Sequence, residues 1–402
     1  MTNPEVQKLL VMRKAFETVK KRQKANISKI PDLQERLNRL RAVREKYVGD
    51  PDIIEIAVEN LENNGFRVEF ADNAEEAVKL LLKEINEEKV VVKSKSNVTK
   101  EINLEKELKS KGINVIETDI GDRLIQILGE EPSHPTGPAA HLSLDYVVKM
   151  LNERFGINLE RDPHAVIEYL LQDIKKYIDR ANVGITGANA VTAEGSVVIL
   201  HNEGNVFEVM NRPRKWIILA GIDKFYPSID EAVNAAKIQT FFATGAVTPS
   251  FIEIVSGVSK TADIEKKLYD GVHNPKEVVL ILLDNNRSYL MNNGFREMFY
   301  CIGCGNCVLH CPSYRVFGGR FKGGRFALYS ALYNGEADLE LCLSCGRCKK
   351  NCPLGLDIPK MISKARRGSE LYNLLVSHAK WLTRAVYLET LAVYLTLRGE
   401  LG

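Results

Sequence analysis

Cys301-Ile-Gly-Cys304-Gly-Asn-Cys307-Val-Leu-His-Cys311-Pro312 and Cys342-Leu-Ser-Cys345-Gly-Arg-Cys348-Lys-Lys-Asn-Cys352-Pro353 hold all 8 cysteines of the chain. Each run has the spacing C-x2-C-x2-C-x3-C-P, which builds [4Fe–4S] sites in bacterial electron carriers. Three thiolates on one tight loop cap three corners of a cubane. The small residues between them, Gly303, Gly305, Ser344 and Gly346, let the backbone wrap closely and aim N–H donors at sulfur. The fourth cysteine of a run lies too far along to complete its own site, and in two-cluster proteins it ligates the other one. The pattern therefore assigns Cys301, Cys304, Cys307 and Cys352 to one cluster and Cys342, Cys345, Cys348 and Cys311 to a second. Zinc ribbons use paired C-x2-C units, so two triplets, each with a trailing Cys-Pro, fit four-ligand zinc arithmetic poorly.

Working outward, the 402 residues exceed one ordinary hydrophobic core and predict two folded units with an attached tail. The 55 Lys+Arg against 52 Asp+Glu leave a formal charge of +3, spread along the chain, which argues against a nucleic-acid partner. Met1-Thr-Asn-Pro-Glu5 begins no charged and apolar export signal, so a cytoplasmic protein is expected, in which clustered thiols serve a metal rather than disulfides. Arg320, Arg347, Lys349 and Lys350 near the cysteines could raise the cluster potential or dock an acidic partner, or simply form a solvated basic face.

Residues 1–50, rich in Lys, Arg and Leu, carry apolar positions such as Leu33, Leu37, Leu40 and Val43 at helical spacing and predict amphipathic helices. From residue 51 helices alternate with strands: helices at 53–63, 74–84, 99–111, 142–155 and 163–181, strands at 67–70, 89–93 and 114–117. That alternation predicts an α/β domain with a largely parallel sheet, running to about residue 290. Its second half reads as strands at 183–185, 197–201, 215–221, 251–255 and 277–284, with a helix at 228–236. Residues 291–367 form the cysteine-bearing domain, with a helical insert at 326–334 after the Gly/Arg loop 318–325. Residues 368–402 read as a helical tail whose Lys380, Arg384 and Glu389 interrupt any membrane span, leaving contact with a partner helix or the inner membrane face.

Six segments in order carry a resemblance over nearly the whole chain: Val91-Val-Lys-Ser-Lys-Ser96, Glu117-Thr-Asp-Ile-Gly-Asp-Arg123, Pro132-Ser-His-Pro135, Gly184-Ile-Thr-Gly-Ala-Asn189, His201-Asn-Glu-Gly-Asn205 and Leu283-Asp-Asn-Asn-Arg-Ser288. Together with the doubled cysteine run they resemble the lactate utilization protein B family, a LUD domain followed by a two-[4Fe–4S] module. The resemblance implies a fold related to NagB/RpiA/CoA-transferase domains, followed by an α-helical, two-cluster ferredoxin-like domain. It also implies work as an iron–sulfur component of L-lactate oxidation to pyruvate, alongside other subunits and an electron acceptor.

Read without the family, the same segments name candidates but no catalytic residue. Gly184-Ile-Thr-Gly187 follows a strand and offers N–H groups to an anion, or is a plain turn. His134, His141 and His201, with Glu117, Asp119, Glu194 and Glu203, could supply an acid–base or carboxylate-binding site, or could be caps and buried hydrogen-bonded groups. Lys93 and Lys95 follow a strand end and could meet a carboxylate or simply water. A domain that itself binds a small molecule or an acyl-CoA, with the clusters as internal relay, is the competing expectation.

Overall fold

Aliphatic runs such as Val90–Lys93 and Lys215–Gly221 form strands buried on both faces, which is what a parallel sheet covered by helices demands. The computed structural model describes residues 4–367 except 135, 334 and 336, so the tail expected at 368–402 lies outside the described residues. In chain order the strands are β1 (Phe66–Ala71), β2 (Val90–Lys93), β3 (Asn114–Glu117), β4 (Val183–Gly187), β5 (Ala190–Thr192), β6 (Ser196–His201), β7 (Lys215–Gly221), β8 (Phe225–Tyr226), β9 (Phe251–Val255), β10 (Lys260–Thr261), β11 (Tyr269–Asp270) and β12 (Glu277–Leu283).

Six strands form one all-parallel sheet in the order β1-β12-β7-β4-β2-β3. The chain runs outward from β2 to β3 and then returns past β2 to β4, so the winding reverses between β2 and β4. In open α/β sheets ligands bind outside the carboxyl ends of the strands at such a reversal. A smaller mixed sheet, β8-β5-β6-β9, packs beside it, and β10 and β11 form a short antiparallel ribbon. Helices Ala74–Ile85 and Leu104–Ser110 cover one face of the large sheet through Ala77, Leu81, Leu104 and Leu108, while helix Pro51–Asn63 covers the other through Ile53, Ala57 and Leu61.

The N-terminal helices Pro4–Asn26 and Leu33–Tyr47 do not join that sheet. Their Met12, Phe16, Leu37 and Leu40 share a core with helix Ile229–Thr244 and with Met298, Phe299, Cys304 and Cys307. Arg44, 1% exposed, pins this junction: its guanidinium donates to the carbonyls of Asp223, Phe225 and Phe299 and lies over the Tyr226 ring. A buried guanidinium is tolerated only with such partners. The cysteine runs are thus seated against the α/β domain by the first fifty residues.

Three local expectations need correcting. The single helix expected at 99–111 is two, Asn97–Glu101 and Leu104–Ser110, broken where Asn103 takes φ +50°, a conformation asparagine accepts more readily than most residues. The helix expected at 228–236 continues to Thr244, where Gly245 at φ +78° ends it. Gly184 and Gly187 lie within β4 rather than after a strand. A Cβ on them would come within 2.0 Å of the Val209 carbonyl oxygen and 2.5 Å of Ser96 Oγ, so these glycines serve close packing.

Candidate metal centre and adjoining cavity

The two cysteine runs fold alike. Gly303 (φ +75°) and Ser344 (φ +49°) occupy equivalent turns, and Gly305 (φ +73°) and Gly346 (φ +72°) precede the one-turn helices Asn306–Leu309 and Arg347–Lys350. These left-handed turns are why small residues alternate with cysteine. The Gly303 N–H donates to Cys301 Sγ at 3.3 Å, and a Cβ on Gly324 would lie 2.6 Å from Cys307 Sγ. The backbone is therefore drawn up to the sulfurs as the sequence reading expects.

All eight cysteines are free thiols, and they sort into two groups. Cys311, from the first run, shares one small cavity with Cys342, Cys345 and Cys348 of the second. Burial pushes the Cys348 thiol up to about 12, with added upward pressure from Cys342, Cys311 and Cys345. In the other group burial, then Cys301 and Cys352, raise the Cys304 thiol, and burial, then Cys301, push Cys352 up to about 11. Cys311, Cys342, Cys345 and Cys348 around one small void, with backbone N–H groups of Gly324, Ser344 and Lys349 turned toward these cysteines, suit a cubane.

Beside the first group opens a cavity of about 310 Å³. It lies at the carboxyl ends of β2, β4 and β7, where the sheet reverses its winding, and Cys301, Ile302 and Gly303 form part of its wall. Four cations line it: Lys95, Lys224, Arg287 and Arg325. Lys95 is bound to Asp119 at 2.8 Å and faces Asp122 at 3.6 Å; burial works against its charge, but these carboxylates hold its pKa above the lysine range. Arg287 grips Glu101 through both oxygens at 2.9 and 2.8 Å and reaches Asp223 at 2.8 Å. Although burial opposes it, the charges of Lys224, Arg287 and Arg44 keep the Asp223 carboxyl far below the usual range.

The candidates named from sequence divide clearly. Lys95, Asp119, His201 and Glu203 line the cavity. Partial desolvation of its carboxyl, and then the charge of Asp119, push Glu203 up to about 7. His201 bonds Glu253 at 3.2 Å and stacks on Phe251. Lys93 and Glu117 instead form a buried ion pair of 2.7 Å outside the cavity's lining, and removing one partner of such a pair costs roughly 3–5 kcal/mol. His134, its pKa lowered to about 4 by burial, packs against Gly305 in the first cysteine loop. His141 sits 3.9 Å from Glu130, away from the cavity, and Glu194 caps helix Ile229–Thr244 by accepting from the Ile229 N–H at 2.6 Å.

Sequence reasoning missed Asp223, Lys224 and Gln239, which follow β7 or lie inside a long helix and carry no motif. It passed over Arg287 and Arg325, although both stood inside quoted segments. The profile of the LUD domain matches residues 54–283, more than half of the chain. The chain belongs to the LUD-domain family. Behind that domain, residues 297–356 match the 4Fe-4S dicluster domain, so this LUD protein is an iron–sulfur protein of the 4Fe–4S type.

Among curated relatives, lactate utilization protein B of Geobacillus thermodenitrificans is 34% identical over 69% of this chain and 56% of its own length. The uncharacterized electron transport protein YkgF of Escherichia coli is 32% identical over 78% of this chain and 66% of its own. The LUD protein thus spans little more than half the length of the lactate utilization proteins it matches. A solved structure described as a duf162 family protein from Deinococcus radiodurans aligns at 15% identity and TM-score 0.30, covering 58% of this chain and 97% of that one. No helix among the described residues is long and apolar enough to cross a membrane.

Proposed function

We propose that this LUD protein is the iron–sulfur electron-transfer subunit of a cytoplasmic complex that oxidises L-lactate or a related 2-hydroxy acid, and that it holds two [4Fe–4S] clusters. The observation that carries this reading is that Cys311 of the first run shares one small cavity with Cys342, Cys345 and Cys348 of the second, which supports a crosswise assignment. Cys301, Cys304, Cys307 and Cys352 would hold one cluster beside the cavity, and Cys342, Cys345, Cys348 and Cys311 the other near the surface. When bound, the clusters supply one-electron chemistry that no side chain offers. The chain's own part is to place them, to turn N–H donors such as that of Gly303 toward sulfur, and to keep water from the buried group. The names of the relatives, lactate utilization protein B and electron transport protein, support the substrate class and the role.

The cavity at the sheet's winding reversal also favours a second reading, in which the LUD domain itself binds a small molecule and the clusters relay its electrons. Both predict partner subunits and an external acceptor. Anaerobic co-purification with native partners, followed by EPR spectra before and after adding L-lactate, tests the proposal. Reduced-cluster signals that appear only with lactate and partners are expected; unchanged spectra in the intact complex would refute it.

A further inference from the structure

Of the four cations in the cavity, three are committed. Arg287 has its guanidinium filled by Glu101 and Asp223, and Lys95 is held between Asp119 and Asp122. Lys224 keeps a single bond to Asp223 at 3.0 Å, an oxygen set already shared with Arg287. Arg325 is different. It is only 8% exposed, yet among the described residues its guanidinium has no hydrogen-bond or ion-pair partner, and its Nε is buried without an acceptor. Its plane lies 4.1 Å over the Tyr329 ring, which orients it without supplying an acceptor. A buried, unpaired guanidinium is costly, and one lining a cavity that a small molecule can enter asks for an anion.

The surroundings narrow the kind of anion. Lys224 feels the positive charge of Arg325, and Lys224, Arg287 and Arg44 gather around the carboxylate of Asp223, with Glu101 also facing Arg287. The guanidinium fork matches a planar carboxylate through two parallel hydrogen bonds, and Lys224 adds a point charge. Gln239, also in the cavity's lining, accepts from Asn189 Nδ2 at 2.9 Å, which leaves its own Nε2 as a donor near Gly303. Such a donor suits a second oxygen next to the carboxylate.

We propose that Arg325, with Lys224 and Gln239, forms a binding site for a small carboxylate carrying a neighbouring hydroxyl or carbonyl oxygen, against the wall made by Cys301, Ile302 and Gly303. This deepens the functional reading above, whose substrate class it takes up, but it stands on the cavity's own geometry. The site places the ligand on the LUD protein rather than on a partner subunit.

Calorimetric titration of anaerobically purified, cluster-loaded full-length protein with L-lactate, pyruvate, the neutral amide lactamide, and inorganic phosphate tests it. Lactate or pyruvate should bind saturably while lactamide and phosphate do not. Arg325→Gln should weaken binding at least about tenfold, the loss expected for charge-assisted hydrogen bonds, with partial recovery in Arg325→Lys. Iron content and the EPR spectrum of the variants should match the wild type. Should Arg325→Gln lose iron, Gln239→Leu, which leaves the cations in place, is expected to weaken pyruvate binding by itself. Wild-type protein that binds neither acid, or equal binding by Arg325→Gln and Gln239→Leu, overturns the site. So does an Arg325→Gln variant whose only change is a shifted cluster potential, since Arg325 would then merely balance the cluster's charge. If both acids bind but the intact complex shows no lactate-dependent EPR change, the site stands and the broader reading falls. If lactate reduces the complex without binding here, the reverse holds.

Discussion

The two cysteine runs share one spacing and one set of turns, yet they live in different surroundings. The first is part of the protein's interior: Cys304 and Cys307 are 6% and 7% exposed and share a core with Met12, Phe16 and Leu40 of the N-terminal helices. Phe299, just before Cys301, is tied to the body through Arg44, and the loop after Cys301 faces the cavity. The second run lies near the surface. Cys345 is exposed, Arg347, Lys349 and Lys350 follow it, and Arg366 holds the segment by donating to the carbonyl of Cys342 at 2.7 Å. The same ligand pattern thus sits once beside an interior cavity and once at a basic, exposed surface. Burial, N–H donors and nearby charge are the levers that set cluster potential, and the two runs use them in different proportions.

Exchanging cysteines breaks or confirms the crosswise arrangement and should give the largest effect. Cys311→Ala, a change in the first run, should deplete the second site, and Cys352→Ala the first. In each, about half the iron should be lost, with the EPR signal of the other cluster retained. Loss of the neighbouring site in each variant would mean that every run completes its own cluster.

The junction beneath the first run comes next. Arg44→Met removes a buried guanidinium that satisfies three carbonyls and should destabilise the protein by about 2–4 kcal/mol in denaturant titration. The matching change at the surface, Arg366→Met, should cost less, because its partners can turn to water. Equal losses would remove the distinction between an interior and a peripheral run.

How much of this was legible in the sequence follows from what encodes it. The cysteine spacing is local, so Cys301 to Cys352 and their glycines were readable before any fold. Strands such as 114–117, 215–221 and 251–255 match their expected limits because dense aliphatic runs bounded by polar residues leave little choice. The break at Asn103 and the short strands β5 and β8 were not readable, since each depends on what packs against it. The cavity was half visible: Lys95, Asp119, His201 and Glu203 came from segments after strand ends. Arg325 looked like one more basic residue in a Gly/Arg stretch, and only the fold reveals that it is buried with no polar partner among the described residues.

Charge reversal probes the open side. Arg347→Glu and Lys350→Glu together should slow reduction of an acidic electron acceptor roughly three- to tenfold at low salt, with the difference fading above about 0.3 M salt, as screening predicts. Stopped-flow rates at several ionic strengths provide the check, and a salt-independent rate would argue against electrostatic docking there.

The smallest effect is expected at the cavity rim. Glu203, raised to about 7, has partial desolvation and then Asp119 and Asp122 pushing its carboxyl up, and the Ile120 N–H and Lys95 pulling it down. Below pH 7 it is mostly neutral; above it the added negative charge opposes an incoming anion. Pyruvate binding should therefore weaken roughly twofold as pH rises from 6 to 8, a modest change suited to a solvent-facing charge, and Glu203→Gln should flatten the profile.

The contrast between an interior and a peripheral site presupposes that both sites hold a cubane. Iron and acid-labile sulfide determined on anaerobically purified full-length protein address this most directly. The account predicts about eight iron and eight sulfide per chain. About four of each, or zinc in place of iron, would contradict it.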